Sequence, residues 1–241
     1  MTDTKKLLND NGAIRWTALV LIALMMFFAY MFVDVLSPLS TLLETSKGWS
    51  AETYGTFCSS EYFLNVFAFF LIFAGIILDK MGIRFTGILS GAVMVIGASI
   101  KLYAISDFFT PDSGLYRFLD SFWTSFPATA KLASIGFMIF GCGVEMGGVT
   151  VSKAIAKWFK GKNMALAMGL QLAIARFGTA TAILIAPMIV RQKAAGEIYL
   201  LSETNRPALI GLAVLAVGAI LWAVFVAMDA RFDKETGGSD K

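Results

Sequence analysis

Charged side chains inside long apolar stretches are the residues of this sequence with the clearest chemical potential. A charge at the centre of a bilayer costs about 2.5–3.5 kcal/mol to insert, so each one requires a reason. Glu145 and Arg176 lie near the centres of two successive apolar stretches joined by a short basic turn. At ~1.5 Å rise per residue, they lie within about one helical turn of the same depth. The sequence therefore predicts an acid and a base close together near the middle of a membrane.

This pair allows two interpretations. It is either a structural ion pair that neutralises two buried charges, or a site for a solute that carries both an amine and a carboxylate. In the second case Glu145 holds the ammonium, and the planar guanidinium of Arg176 binds the carboxylate through two hydrogen bonds. The interpretations are compatible, because the pair can close on itself when the site is empty.

Three further residues are candidates for the same substrate-binding site. Tyr30 and Asp34 are one helical turn apart, so they can share the cavity-facing side of a first helix. Glu61 lies about two turns inside the next apolar stretch and is, with Glu145, a candidate proton carrier. Asp34 and Lys101 lie near the ends of their stretches, where we expect the side chains to reach water.

The elements that position these residues are predicted to be membrane-spanning helices. The 241 residues are 57% hydrophobic and 15% charged, whereas a soluble domain is roughly half apolar and a quarter charged. About 20 apolar residues cross the hydrocarbon core, and within lipid they must form helices because each backbone group needs an internal partner. An all-α protein with six spans is predicted, at residues 16–35, 53–78, 86–105, 132–151, 163–190 and 207–228, with Asn205 and Pro207 starting the last.

The distribution of Lys and Arg predicts the orientation of these spans. The amino terminus, the second and fourth loops and the carboxyl-terminal tail are the most basic segments, so both termini are predicted to be cytoplasmic. Residues 1–15 are then a cytoplasmic amino terminus, 16–228 a six-helix transmembrane domain, and 229–241 a cytoplasmic tail or linker. The short loops favour the cytoplasmic membrane of a bacterium.

Composition also argues against several classes of function. A net charge of +3 without a basic stripe does not suggest a nucleic-acid partner. The sequence has no His, and Cys58 and Cys142 lie in apolar stretches, so we expect neither a metal nor another cofactor. No nucleophile–base pair or phosphate-binding loop stands in a suitable context, which predicts that the chain is not an enzyme.

One short motif is more specific than these patterns. It runs from Gly75 to Arg84 as Gly-Ile-Ile-Leu-Asp-Lys-Met-Gly-Ile-Arg, between the second and third predicted spans. It resembles the loop signature of the major facilitator superfamily, with Ile83 in place of the first of two final bases. The resemblance implies a gating loop formed by Gly75, Asp79, Lys80, Gly82 and Arg84, in which Asp79 pairs with a nearby cation and Gly82 permits a tight turn.

A second set of segments resembles one branch of that superfamily. These are Gly141-Cys-Gly-Val-Glu145, the stretch from Lys157 to Lys162, Gly169-Leu-Gln-Leu172 and Ala175-Arg-Phe-Gly178. They are similar to the branch that includes the animal lysosomal dipeptide transporter. In that branch a Glu on the fourth helix and an Arg on the fifth hold the termini of the peptide, and these positions correspond to Glu145 and Arg176.

The resemblance implies the amino-terminal half of an alternating-access transporter, built from two inverted three-helix repeats. The expected partners are the lipid bilayer, a small zwitterionic substrate such as a dipeptide, and a second six-helix half. That half is a missing carboxy-terminal domain, a separately encoded partner or a second copy of this chain. The alternative is a non-transporting six-helix scaffold that stabilises a partner. Coupling to protons or sodium and the direction of transport are not predicted.

Overall fold

The fold is all-helical in the parts of the chain that the computed structural model describes, residues 8–190 and 201–236. Two short 3-10 helices, Leu8–Asp10 and Ser37–Leu39, accompany the α-helices. The α-helices are α1 (Gly12–Asp34), α2 (Ser40–Lys47), α3 (Ala51–Phe67), α4 (Phe70–Ile105), α5 (Gly114–Asp120), α6 (Ala128–Trp158), α7 (Met164–Ile189) and α8 (Leu201–Thr236).

Within the described residues, five helical segments are long and apolar enough to cross a membrane. They are Gly12–Lys47, Phe70–Ile105, Ala128–Trp158, Met164–Ile189 and Asn205–Glu235. The prediction of an all-α membrane protein is therefore confirmed. The predicted span at 53–78 is not continuous, because α3 ends at Phe67 and α4 begins at Phe70, with Phe69 between them at φ 52°.

Helix α4 covers two predicted elements. It continues from the end of the predicted second span through the predicted loop and the whole third span. The helix is interrupted at Gly82, where φ is 77° and ψ is 172°. Only glycine adopts this conformation without strain, because it has no Cβ. The predicted turn at Gly82 is therefore present as a sharp break within one long helical segment.

The predicted start of the last span is wrong. Helix α8 begins at Leu201, so Asn205 and Pro207 lie inside the helix and do not form its cap and first turn. Its other end approaches the start of the chain, since the backbone amide of Leu8 donates a hydrogen bond to Glu235 Oε2 at 3.0 Å. The first and last described segments thus lie at the same end of the bundle.

Close approaches at glycine determine which helices are neighbours. A Cβ on Gly141 of α6 would lie 2.1 Å from the backbone oxygen of Glu61 on α3. A Cβ on Gly178 of α7 would lie 2.1 Å from the backbone oxygen of Phe27 on α1. Small residues allow helices to pack this closely in membranes. Helix α7 consequently packs mainly against α1, although α6 precedes it in the sequence.

Candidate substrate-binding site

A cavity of about 460 Å³ lies between α1, α6 and α7. Its walls combine one carboxylate, one phenol, one amide and one hydroxyl with apolar surface. The lining residues are Met26, Tyr30, Glu145, Gly148, Val149, Ser152, Gln171 and Leu172. This is the size and mixture of groups that small-molecule sites use.

Helical periodicity explains how α6 presents its part of the wall. Glu145, Gly148, Val149 and Ser152 are spaced by three or four residues, so they share one face of the helix. Nothing lies within 4 Å of where a Cβ of Gly148 would be, so this position opens space beside Glu145. The carboxylate of Glu145 is half-buried and makes no ion pair with any described residue.

Arg176 reaches the same region from α7. Its guanidinium carbon lies 4.9 Å from the centre of the Tyr30 ring, which is a cation–π contact. The side chain is otherwise exposed. Tyr30 lines the cavity and interacts electrostatically with both Arg176 and Glu145. Tyr30 on α1 therefore contacts the base and shares the cavity wall with the acid that depth alone had paired with it.

The interpretation of Glu145 and Arg176 as a direct ion pair does not hold in this structure. No ion pair joins them, since their charged atoms are more than 4 Å apart. The reason is that α7 packs against α1 through Gly178, with few contacts to α6. Glu145 consequently lines the cavity without an ion-pair partner among the described residues, and Arg176 contacts Tyr30 in the cavity wall.

Of the five predicted substrate-binding residues, Tyr30 and Glu145 line the cavity, whereas Arg176, Glu61 and Asp34 are not among its lining residues. Glu61 on α3 is only 5% exposed, and it interacts electrostatically with Glu145 and Tyr30. Asp34 is the last residue of α1 and is half-buried. Gln171 and Ser152 line the cavity but were not among the predicted site residues. Both are polar residues inside apolar stretches, and this is the sequence signal by which they could have been identified as site residues.

Lys101 overturns the expectation that its side chain reaches water, because it is 0% exposed. Its ammonium donates hydrogen bonds to the backbone oxygens of Phe32 at 3.3 Å and Val33 at 3.5 Å. It also lies 4.0 Å from the ring centre of Phe137 and 5.3 Å from that of Phe57. The cation thus caps the end of α1, where the helix dipole is negative, inside a set of aromatic rings.

The predicted gating-loop residues lie at the end of the bundle where α4 breaks. Asp79 accepts a hydrogen bond from Lys153 at 2.9 Å; the Asp79 side chain is exposed and that of Lys153 is half-buried. Lys80, Gly82 and Arg84 line an adjoining cleft of about 680 Å³. Gly75 lies on α4 with open space where a Cβ would be.

A buried charge cluster connects this loop to α6 and α8. We call the residues Arg84, Lys157, Trp158, Asp229 and Asp233 the α4–α6–α8 cluster. Arg84 bonds to Asp233 at 2.6 Å and lies 3.5 Å from Asp229. The ammonium of Lys157 lies 2.9 Å from Asp229 and 2.5 Å from Asp233. The indole of Trp158 donates a hydrogen bond to Asp229 at 2.9 Å.

Within the described residues, no group of three or more His, Cys, Asp or Glu side chains is arranged to hold a metal ion. The polar groups around the cavity are instead suited to an organic solute. Glu145 in the cavity wall and Arg176 beside Tyr30 can each make a charge-assisted hydrogen bond, and neutral donors and acceptors also line the cavity.

The fold and the site define a multi-pass membrane protein with a polar cavity between its helices. A family model of the Major Facilitator Superfamily matches residues 22–241, so the chain belongs to this superfamily. Its members are membrane transporters of small solutes and not enzymes. We found no match among curated proteins and none among solved structures.

Proposed function

We propose that this chain is the amino-terminal six-helix half of an alternating-access transporter for a small zwitterionic solute, such as a dipeptide. The observation that carries the proposal is that Glu145 lines the cavity and Arg176 contacts Tyr30 in the cavity wall, with no direct ion pair between the two charges. Two opposite charges that are not paired in a membrane interior cost free energy unless a ligand binds and neutralises them. A scaffold would not need them.

The geometry suggests how such a solute would be held. Glu145 accepts hydrogen bonds from the ammonium group, and Arg176 donates two to the carboxylate. The Tyr30 ring supports the guanidinium from one side, which reduces the freedom that Arg176 must lose on binding. Gln171 and Ser152 supply uncharged hydrogen-bonding groups between the two ends of the solute.

The six-span topology is part of this proposal. The six crossings would be α1, then α3 with α4 up to Gly82, the remainder of α4, α6, α7 and α8, forming two inverted repeats of three. The contact between Leu8 and Glu235 supports an even number of crossings, because the two ends lie on one side. We place that side in the cytoplasm on the basis of its Lys and Arg residues, in a bacterial cytoplasmic membrane.

A second six-helix half would cover the open side of the cavity. It is a carboxy-terminal domain, a separate chain or a second copy of this one, and size measurement of the purified membrane protein distinguishes these. The loop residues Gly75, Asp79, Lys80, Gly82 and Arg84 would close the cytoplasmic side. Arg84 belongs to the α4–α6–α8 cluster, and Lys80 and Gly82 line the same cleft. This supports the assignment, because a change in the cluster would affect the contacts of three helices.

The test is binding of L-alanyl-L-alanine and of two blocked derivatives to the complete transporter. N-acetylation removes the ammonium and C-amidation removes the carboxylate. Each block should weaken binding about 10–150-fold, the equivalent of one hydrogen bond to a charged group at about 1.5–3 kcal/mol. In the Glu145→Gln variant, N-acetylation of the peptide should weaken binding little further, because the partner of the ammonium is already lost. In the Arg176→Ala variant, C-amidation should likewise weaken binding little further.

The matched control is Glu44→Gln, which alters an exposed acid on α2. This variant should discriminate among the three peptides as the unmodified protein does. Equal binding of all three peptides by the unmodified protein would contradict the zwitterionic site.

A further inference from the structure

Gly148 differs from the other glycines of α6, because close helix packing does not explain it. A Cβ on Gly136, Gly143 or Gly147 would lie within 2.8 Å of an atom of α4, and one on Gly141 would overlap α3. In the described part of the chain, by contrast, nothing lies within 4 Å of where a Cβ of Gly148 would be. Glycine disfavours a helix relative to alanine, so its presence at this position requires another reason.

The open space at Gly148 belongs to the candidate substrate-binding cavity. Gly148 lines the cavity and follows Glu145 by three residues, so the two lie on one face of α6. Side chains in a helix lean toward its amino terminus, so a side chain at position 148 would cover the surface beside Glu145. The absence of a side chain at this position therefore leaves room next to the carboxylate.

The proposed substrate would place its first side chain in this room. When Glu145 holds the ammonium group of a dipeptide, the Cα of the first residue is one bond from the bound nitrogen, and the side chain begins at that Cα. The second residue carries the carboxylate that Arg176 is proposed to bind. Arg176 is exposed and is not among the lining residues of the cavity. The space at Gly148 is thus next to the first residue of the peptide and not the second.

Much of the cavity wall that Gly148 shares is apolar. Met26 of α1, Val149 of α6 and Leu172 of α7 are lining residues. The hydroxyl of Ser152 donates a hydrogen bond to the backbone oxygen of Gly148 at 2.9 Å, so its hydrogen is already used. An apolar side chain gains free energy by leaving water for such a wall, whereas a polar side chain loses hydrogen bonds to water.

We infer that Gly148 is a specificity-determining residue, and that it opens a subsite for a large apolar side chain on the first residue of the substrate. The preferred substrates are then dipeptides whose amino-terminal residue resembles leucine. This inference rests on the proposed function, because Glu145 must hold the ammonium group. It makes no demand on the second residue of the peptide.

The test measures binding of isomeric peptides, L-leucyl-L-alanine and L-alanyl-L-leucine, to the complete transporter. The two have the same composition and differ in which residue carries the large side chain. The unmodified protein should bind L-leucyl-L-alanine about 10-fold more tightly than L-alanyl-L-alanine, because additional apolar groups are buried. L-asparaginyl-L-alanine has a polar side chain of similar size and should not show this gain. Equal binding of the leucyl and asparaginyl peptides would overturn the apolar subsite.

The variant Gly148→Leu fills the subsite with a side chain of the protein. Its affinity for L-leucyl-L-alanine should fall about 10-fold, whereas its affinity for L-alanyl-L-leucine should change less than about 3-fold. Gly148→Ala adds a single carbon and should give a smaller loss that is again confined to the leucyl-alanine isomer. The matched control is Gly55→Leu, an exposed glycine on α3 that also has nothing within 4 Å of its Cβ position and does not line the cavity. This control should bind all the peptides as the unmodified protein does.

An effect of Gly148→Leu that is equal for the two isomers, or no effect on either, would overturn the subsite. Retained binding of L-alanyl-L-leucine shows that the variant is folded. If thermal unfolding shows that Gly148→Leu does not fold, Gly148→Ala decides, and an equal effect of that variant on both isomers overturns the subsite.

Failure of the proposed function gives a different result. Equal binding of L-alanyl-L-alanine and its N-acetyl derivative by the unmodified protein would overturn the proposed function and the subsite together. Discrimination between those two peptides, combined with an equal effect of Gly148→Leu on the two isomers, would overturn the subsite alone and leave the proposed function standing.

Discussion

At the scale of single residues, two long cations in the bundle meet opposite surroundings. Lys101 is completely buried and satisfied by backbone oxygens and aromatic rings. Arg176 is exposed, lies over the face of Tyr30, and makes no hydrogen bond to any described residue. A satisfied cation has a structural role, whereas a cation with unused hydrogen-bond donors beside a cavity is available to a ligand. This contrast assigns the proposed substrate contact to Arg176.

Arg176→Ala should reduce uptake of L-alanyl-L-alanine by the complete transporter about 10–150-fold, because the hydrogen bonds to the substrate carboxylate are lost. Uptake by Arg176→Lys should be intermediate between that of Arg176→Ala and that of the unmodified protein. Lysine keeps the positive charge but cannot donate two parallel hydrogen bonds. Uptake into cells is measured together with the amount of protein in the membrane. Arg206→Ala, an exposed site on α8, should leave uptake unchanged. Normal uptake by Arg176→Ala would rule out the assigned role.

At the scale of elements, the position of α7 creates the cavity. The Gly178 contact with the backbone of Phe27 holds α7 against α1, and the space that α7 leaves beside α6 is lined by Glu145 and Gln171. The chain also breaks between α3 and α4, at Ala68 and Phe69, and within α4 at Gly82. These breaks set the directions of α3, which carries Glu61, and of the two parts of α4.

Gly178→Ala should destabilise the protein by about 1–3 kcal/mol, because the added methyl group would overlap the α1 backbone. Gly169→Ala is the matched control on the same helix, with nothing within 4 Å of the added atom. That variant should be neutral or stabilised by up to about 1 kcal/mol, since Ala favours helix. Thermal unfolding in detergent compares them. Equal unfolding temperatures for the two variants would contradict the packing of α7 on α1.

At the scale of the whole molecule, one end of the bundle is held together by charge. The α4–α6–α8 cluster brings two carboxylates and two cations from three helices into contact, and Asp229 within it is 1% exposed. In the Asp79–Lys153 pair at the same end, Asp79 is exposed and Lys153 is half-buried. Removing one partner of a buried ion pair costs much more stability than removing one partner of an exposed pair. In the buried pair the remaining charge is left without a partner or solvent.

Asp229→Asn should cost about 3–5 kcal/mol of stability, because Lys157 and the indole of Trp158 would lose a buried charged partner. Asp79→Asn should cost less than about 1 kcal/mol, since solvent screens that pair. Thermal unfolding of both variants gives the comparison. A loss from Asp79→Asn as large as that from Asp229→Asn would show that the cluster does not hold the three helices together.

The sequence by itself determined the class of the fold, because long uncharged stretches can only be helices in lipid. It also predicts matched depths for Glu145 and Arg176, since depth is inferred from residue count along a helix. Several helix boundaries, such as those of α7, were also within reach of the apolar pattern.

Only the tertiary structure decided which helices touch. Neighbours depend on close approaches at Gly141 and Gly178, and a one-dimensional pattern does not specify the partner of a small residue. For this reason the expected contact between Glu145 and Arg176 is absent, and Arg176 instead contacts Tyr30, which lines the cavity together with Glu145. For the same reason Lys101, predicted to reach water, lies buried among residues from three other helices.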